Sequence, residues 1–282
     1  MKLMILGLDG LDVTALDGAG RLHSPLPVSG PAWQSIYTGM TAERHGVTSV
    51  WGDGPDGRLA TEWAGRWFWN RLPVPGTVCN MPIATVGRKP IFVSGFPGPF
   101  ATLPEALEVC WQERGDLAQM AQPMTIDGWS DSLKKAGFSF CAEKATDDAL
   151  FLLDWFGNNA KGDLGCLGLT FPDRILHSFY TDEAWLFVCS LAAKIVVMAR
   201  DIARRLIVVS DHGFERCGTN HTKDGVLWDS DNYKRGGYVG MTHHVAEKIF
   251  VIFGFEYADF HSGAKEADEL APNARLTALG YY

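Results

Sequence analysis

Asp211 and His212 stand side by side in LIVVSDHGF, residues 206–214, at the end of a short apolar run. An adjacent carboxylate and imidazole suit a hard or borderline divalent cation, and Gly213 lets the chain turn sharply behind them. The same pair also reads as a turn capping the next element. Asp173 and His177, in FPDRILHSFY, follow a second apolar run, GCLGLT at 165–170. Four residues apart, they share one face of a helix and both reach one ion; a helix N-cap plus a half-buried histidine is the plainer alternative. Asp9 ends a third apolar run, 3–8. One acidic residue at a strand end is ordinary turn chemistry, but three in one sheet point to a shared metal site. Clustered carboxylates repel one another, and bound cations remove that cost.

Phosphoryl transfer at such a site needs a nucleophile. Ser29 lies in PVSGPAW, on a turn constrained by proline and glycine, just before a helix expected from Pro31 to Gly39. Backbone N–H groups at a helix N-terminus hold a phosphate oxygen well, and a nearby metal makes a serine hydroxyl more acidic. On its own, a serine at this position is an N-cap. Trp33 and the aromatic-rich stretch 51–69 could stack on a base, although aromatic side chains more commonly fill a core.

The elements that must position these residues follow from the apolar pattern. Strands are expected at 3–8, 76–79, 90–95, 164–170, 206–210 and 248–253, and helices at 144–156, 182–205 and 266–279. Helix alternating with strand implies crossover connections, hence an α/β fold with a mostly parallel central sheet covered by helices on both faces. Open sheets of this kind place their sites at the carboxyl ends of the strands, where Asp9, Asp173 and Asp211 fall. Residues 51–124 are rich in aromatics, proline and glycine and read as a small cap or insertion within a single domain of 282 residues.

The bulk numbers narrow the function class. Net charge is −8, with 25 basic against 33 acidic side chains, so a nucleic-acid partner is not expected, whereas metal ions reverse the local sign for a small phosphate ester. No apolar run is long enough to span a bilayer. The six cysteines, Cys79, Cys110, Cys141, Cys166, Cys189 and Cys217, form no close pair, which suggests a cytoplasmic protein rather than a disulfide-framed one. The P-loop, dinucleotide-fingerprint, CxxC, HExxH and GxSxG patterns are all absent.

The ordered set ILGLDG (5–10), PVSGPAWQSIYTGMTAERHGV (27–47), DRILH (173–177) and SDHGF (210–214), with a late histidine, resembles the alkaline phosphatase superfamily. Its type I phosphodiesterase/nucleotide pyrophosphatase branch, with related phosphohydrolases and phosphomutases, is the most similar. NMPIATVGRKPIFVSGFPGP (80–99) and DELAPNARLTALGY (268–281) extend the likeness over nearly the whole chain.

The resemblance implies two divalent metal ions, zinc or manganese. Asp9, Asp211 and His212 would hold one, beside Ser29 as nucleophile; Asp173, His177 and a third histidine would hold the other. HVAEKIFVIFG (244–254) points to His244 as that histidine, and HTKDGVLW (221–228) to His221 as the alternate; His244 is preferred because it precedes the strand expected before the last helix. His45, in ERHGV, is a landmark of the family with a structural role. The implied activity is hydrolysis of a phosphodiester or pyrophosphate, on a nucleotide or another small phosphate ester. A phosphomonoesterase, phosphomutase or phosphonate hydrolase would use the same site, and a non-catalytic ligand-binding relative is the reading outside enzymes. Ala32 and Trp33 stand where the nucleotide pyrophosphatases commonly carry an asparagine, which leaves nucleotide specificity open.

Overall fold

The computed structural model describes residues 1–48, 66–84, 91–93, 134–218, 220–231 and 239–255. The closing helix expected over 266–279 lies outside them, as does most of the 51–124 stretch. In chain order the strands are β1 (Leu3–Leu8), β2 (Gly20–His23), β3 (Gly76–Cys79), β4 (Ile91–Val93), β5 (Leu164–Leu169), β6 (Arg205–Val209), β7 (Gly213–Phe214), β8 (His221–Thr222), β9 (Asp224–Asp229) and β10 (Val239–Met241). The helices are α1 (Ser29–Thr38), α2 (Ala42–His45), α3 (Phe68–Arg71), α4 (Phe138–Asn159), α5 (Phe171–Ser178), α6 (Asp182–Ala199) and α7 (His244–Ile252).

Eight strands make one sheet in the order β10-β2-β9-β6-β1-β5-β3-β4, and β7 pairs with β8 in a separate two-stranded ribbon. The sheet is mostly parallel, as expected; β9 runs antiparallel to both its neighbours, β2 and β6. At the centre, β1 lies between β5 and β6 and is parallel to both, with Leu8 opposite Leu169 and Gly7 opposite Val209. The carboxyl ends of all three strands therefore fall on one edge at one level.

Strand β1 is buried throughout because both faces of the sheet are covered. Met4, Leu6 and Leu8 face a core built with α4, α5 and α6. Leu3 and Ile5 face a second core containing Trp33 and Tyr37 of α1, Phe68 and Trp69, and Ile249 and Phe250 of α7. The period-two alternation of the strand thus divides the apolar load between two layers of helix.

The strand expected at 248–253 is instead part of helix α7. Val245, Ala246, Ile249 and Phe250 are buried while Val251 is exposed, a helical stripe rather than an alternation. A short apolar run has the same hydrophobicity in either form, and here helical packing against α1 decides it. The long helix expected over 182–205 stops at Ala199, and the chain turns before β6. The five cysteines among the described residues are free thiols, and no helix of these residues is long and apolar enough to cross a membrane.

Candidate metal centre and active site

Asp9 follows β1 directly, Asp211 lies two residues beyond β6, and Asp173 sits in the first turn of α5, just after β5. Backbone and side-chain hydrogen bonds tie these three strand ends together. The Asp173 N–H donates to the Asp9 carbonyl (3.0 Å), the Gly10 N–H to Asp211 Oδ1 (3.3 Å), and the Leu11 N–H to Ser210 Oγ (2.8 Å). Ser210 Oγ in turn donates to the His212 carbonyl (2.6 Å). Gly10 is required at its turn: its φ is +72°, and a Cβ there would meet Phe214 at 2.9 Å and Asp173 at 3.0 Å.

Two groups of donor atoms result. One oxygen or nitrogen from each of Asp9, Asp211 and His212 lies within 4.8 Å of the others, and the same holds for Asp173, His212 and His221. His177 joins the second group, its Nε2 being 3.2 Å from Asp173 Oδ1 and 3.0 Å from His221 Nε2. Second hydrogen bonds fix two of the imidazole tautomers. His212 Nδ1 donates to the Gly213 carbonyl (3.1 Å) and His221 Nδ1 to the Pro27 carbonyl (2.7 Å), so both Nε2 atoms present a lone pair to the cluster. The His212 and His221 rings stack at 3.9 Å, with Phe214 edge-on to His221.

These donor atoms fit divalent cations. His212 Nε2 lies 3.3 Å from Asp211 Oδ2 and 3.9 Å from Asp173 Oδ1. Those two carboxylate oxygens are buried and accept no aligned hydrogen bond. Lone pairs facing one another in a buried space are costly unless a proton or a cation lies among them. The oxygen and imidazole set, without thiolate, suits zinc, manganese and similar ions.

The charges are arranged differently in the two groups. Burial pushes Asp211 up to about 7, and burial with the Asp211 and Asp173 charges pushes Asp9 well above the usual carboxylate range. Burial also raises Asp173, but the charge and hydrogen bond of His177 together with the His212 and His221 charges outweigh it and hold the carboxyl down at about 2. His221 is lowered to about 4 by burial and by the His212 charge, whereas Asp173 keeps His177 above its ordinary value against the effect of its burial.

Ser29, the first residue of α1, places Oγ 3.3 Å from Asp9 Oδ1, to which it donates, and 3.3 Å from His212 Nε2. The structure therefore brings together Asp9, Ser29, Asp173, His177, Asp211, His212 and His221. His244 is elsewhere. It begins α7, its Nδ1 accepts the Met241 N–H (3.4 Å), and its ring packs on His243. Of the two histidines read from the sequence, the alternate His221 is the one that lies with the cluster. His244 stood first because 248–253 was read as a strand, and the helical form of that segment takes it out of the cluster, while the β7–β8 ribbon carries His221 in. His45 is buried at the C-terminal end of α2, accepts the Val47 N–H at Nδ1 (3.0 Å) and is lowered to about 3 by burial, a neutral structural residue.

Trp33 does not offer a face for base stacking. It is wholly buried, and its Nε1–H donates to Asp9 Oδ1 at 2.9 Å. The sequence carries a signal for this: Trp33 is four residues after Ser29, so one helix face directs both toward the same carboxylate.

No protein-family model matches the chain, and no curated protein matches it in sequence. Solved structures do match. A putative sulfatase from Bacteroides thetaiotaomicron aligns over 90% of this chain and 71% of its own, with 10% identity and a TM-score of 0.56. A 2-O GAG sulfatase aligns over 90% and 70%, with 10% identity and a TM-score of 0.51. Murine ectonucleotide pyrophosphatase/phosphodiesterase 5 aligns over 76% of this chain and 57% of its own, with 14% identity and a TM-score of 0.41. The chain thus spans little more than half the length of that relative. At these identities the likeness concerns the fold alone, a mostly parallel sheet covered by helices on both faces.

Proposed function

We propose that this chain is a metal-dependent hydrolase of phosphate esters, most suited to diesters or pyrophosphates, with Ser29 as its nucleophile. The observation that carries the reading is the position of Ser29 Oγ, at a helix N-terminus and 3.3 Å from both Asp9 Oδ1 and His212 Nε2. Asp9, Asp211 and His212 would hold one ion and Asp173, His177 and His221 the other. When bound, two divalent ions supply Lewis acidity and offset the charge that develops on the oxygens around phosphorus.

The chain's own residues account for the remaining steps. Ser29 Oγ releases its proton toward Asp9 Oδ1 and attacks phosphorus; the new Oγ–P bond forms as the bond from phosphorus to the leaving oxygen breaks, and that oxygen takes up the released proton and departs as the alcohol. Water then cleaves the seryl ester, which restores the Ser29 hydroxyl and frees the phosphate product. The first turn of α1 holds Ser29 in place, since Ala32 N–H bonds back to the Val28 carbonyl at 3.0 Å.

Hydrolysis of bis-p-nitrophenyl phosphate by zinc- or manganese-loaded protein, compared with S29A and D211N, tests this. Both variants should lose activity, and unchanged activity in both overturns the proposal. A sulfate ester is the second reading, favoured by the two sulfatase structures with the higher TM-scores. p-Nitrophenyl sulfate in the same assay separates the two: turnover of the sulfate in preference to the phosphodiester would reassign the substrate and leave the site intact.

A further inference from the structure

A buried indole needs a hydrogen-bond partner, and the partner of Trp33 is a carboxylate proposed to bind a metal. Asp9 Oδ1 receives the indole N–H at 2.9 Å and the Ser29 hydroxyl at 3.3 Å. Space for the ring comes from Gly7. A Cβ at that position would meet Trp33 Cη2 at 2.9 Å and Met81 Cε at 3.3 Å. Gly7 and Asp9 are two apart along the strand direction, so the empty position of one and the carboxylate of the other lie on one side of the sheet. Tyr37 packs on the indole with ring centroids 5.6 Å apart. Apolar packing alone would be served by a phenylalanine; the N–H is what a tryptophan adds.

Building on the metal centre proposed above, we propose that Trp33, seated by Gly7, is a positioning residue that orients the Asp9 carboxylate for its ion. The indole N–H occupies Oδ1, so Asp9 presents its second oxygen and binds through one atom rather than two. A charge-assisted hydrogen bond of this kind fixes the carboxylate before the ion arrives. Trp33 therefore acts on the ion held by Asp9, Asp211 and His212, and Gly7 acts mainly through Trp33, the side chain a Cβ there would meet first.

The test is a two-site Zn2+ titration of the chelator-stripped full chain in competition with a chromophoric chelator. It compares wild type, W33F, G7A and the double variant, with circular dichroism confirming that each is folded. Loss of an outer-shell partner costs roughly 10–100-fold in metal affinity. W33F is expected to weaken one of the two ions by that factor and leave the other unchanged. G7A, which keeps the indole but displaces it, should do the same. Because phenylalanine lacks the atom that crowds Gly7, adding G7A to W33F should cost much less than G7A alone.

If wild type binds two ions and W33F binds both as tightly, the inference falls and the metal centre stands. Equal weakening of both ions, or additive costs in the double variant, would mark a general packing role and also overturn it. A wild-type chain that binds no Zn2+ removes the metal centre and the inference together. Should W33F fail to fold, G7A decides alone, and an unchanged affinity for both ions overturns the proposal.

Discussion

The two donor groups share His212 yet are built on opposite plans. The Asp9, Asp211 and His212 group is sealed, at 6, 0 and 0% exposure, and comes from the ends of two adjacent parallel strands. The Asp173, His177 and His221 group is about one-fifth exposed and comes from a short helix and a two-residue strand. In the sealed group burial drives the carboxylates toward protonation, whereas in the open group a histidine charge keeps Asp173 ionised. The sealed group therefore has a deficit of positive charge that a cation removes, and the open group already offsets part of its own. Rigidity and charge deficit belong to one ion position, access and internal compensation to the other.

The strongest way to break this contrast is D211N, which removes an oxygen donor from the group with no substitute. Its activity loss should exceed the roughly 100-fold expected of an outer-shell change, read as kcat/KM on a phosphodiester. A loss below tenfold would mean that the sealed group is not the reacting centre.

Next comes the stability of the metal-free chain. Asp211 has a folded pKa of about 7 against 3.8 unfolded. Between these values the folded state holds more protons, so this group's contribution falls as pH rises from about 4 to about 7. Asp9 acts in the same sense. Burial of His45 and His221 acts in the opposite sense below pH 6.5, so the quantity to read is the difference between D211N and wild type. Urea unfolding in chelator should find D211N gaining on wild type as pH rises, by at most about 4 kcal/mol at pH 8. Asp173 reverses the sign: its stabilisation is present above about pH 4 and lost as pH falls toward 2. A flat difference curve would show that the sealed carboxylates carry no such burden.

The smallest effects sharpen the choice of histidine. H221A should weaken Zn2+ binding at the open group by at least about tenfold. H244A, at the end of a helix outside the cluster, should leave both affinities within about twofold and stability within about 0.5 kcal/mol. The reverse ranking would restore His244 to the site.

What the sequence made legible follows the same division. The sealed group rests on strands β1 and β6, whose unbroken apolar runs end in Asp9 and in Asp211–His212, so position and chemistry are written in adjacent letters. Asp173 and His177 were equally readable, because a spacing of four has one meaning in a helix. His221 is legible only as the alternate, since its place depends on β8 pairing with β7 across six residues with no apolar signal of their own. The preference for His244 rests on reading 248–253 as a strand: HVAEKIFVIF is apolar enough for one, and the packing of Val245, Ile249 and Phe250 makes it a helix. For Trp33 the spacing of four from Ser29 gives the shared helix face, but only the fold shows that its N–H meets Asp9.

The β7–β8 ribbon has a further consequence. His212 stands immediately before it and His221 opens its second strand, with Phe214 paired to His221 and wedged against His177. One small rigid body thus carries a donor for each ion position. A substitution that shifts this ribbon would therefore disturb both donor groups at once, where one at Trp33 reaches a single carboxylate.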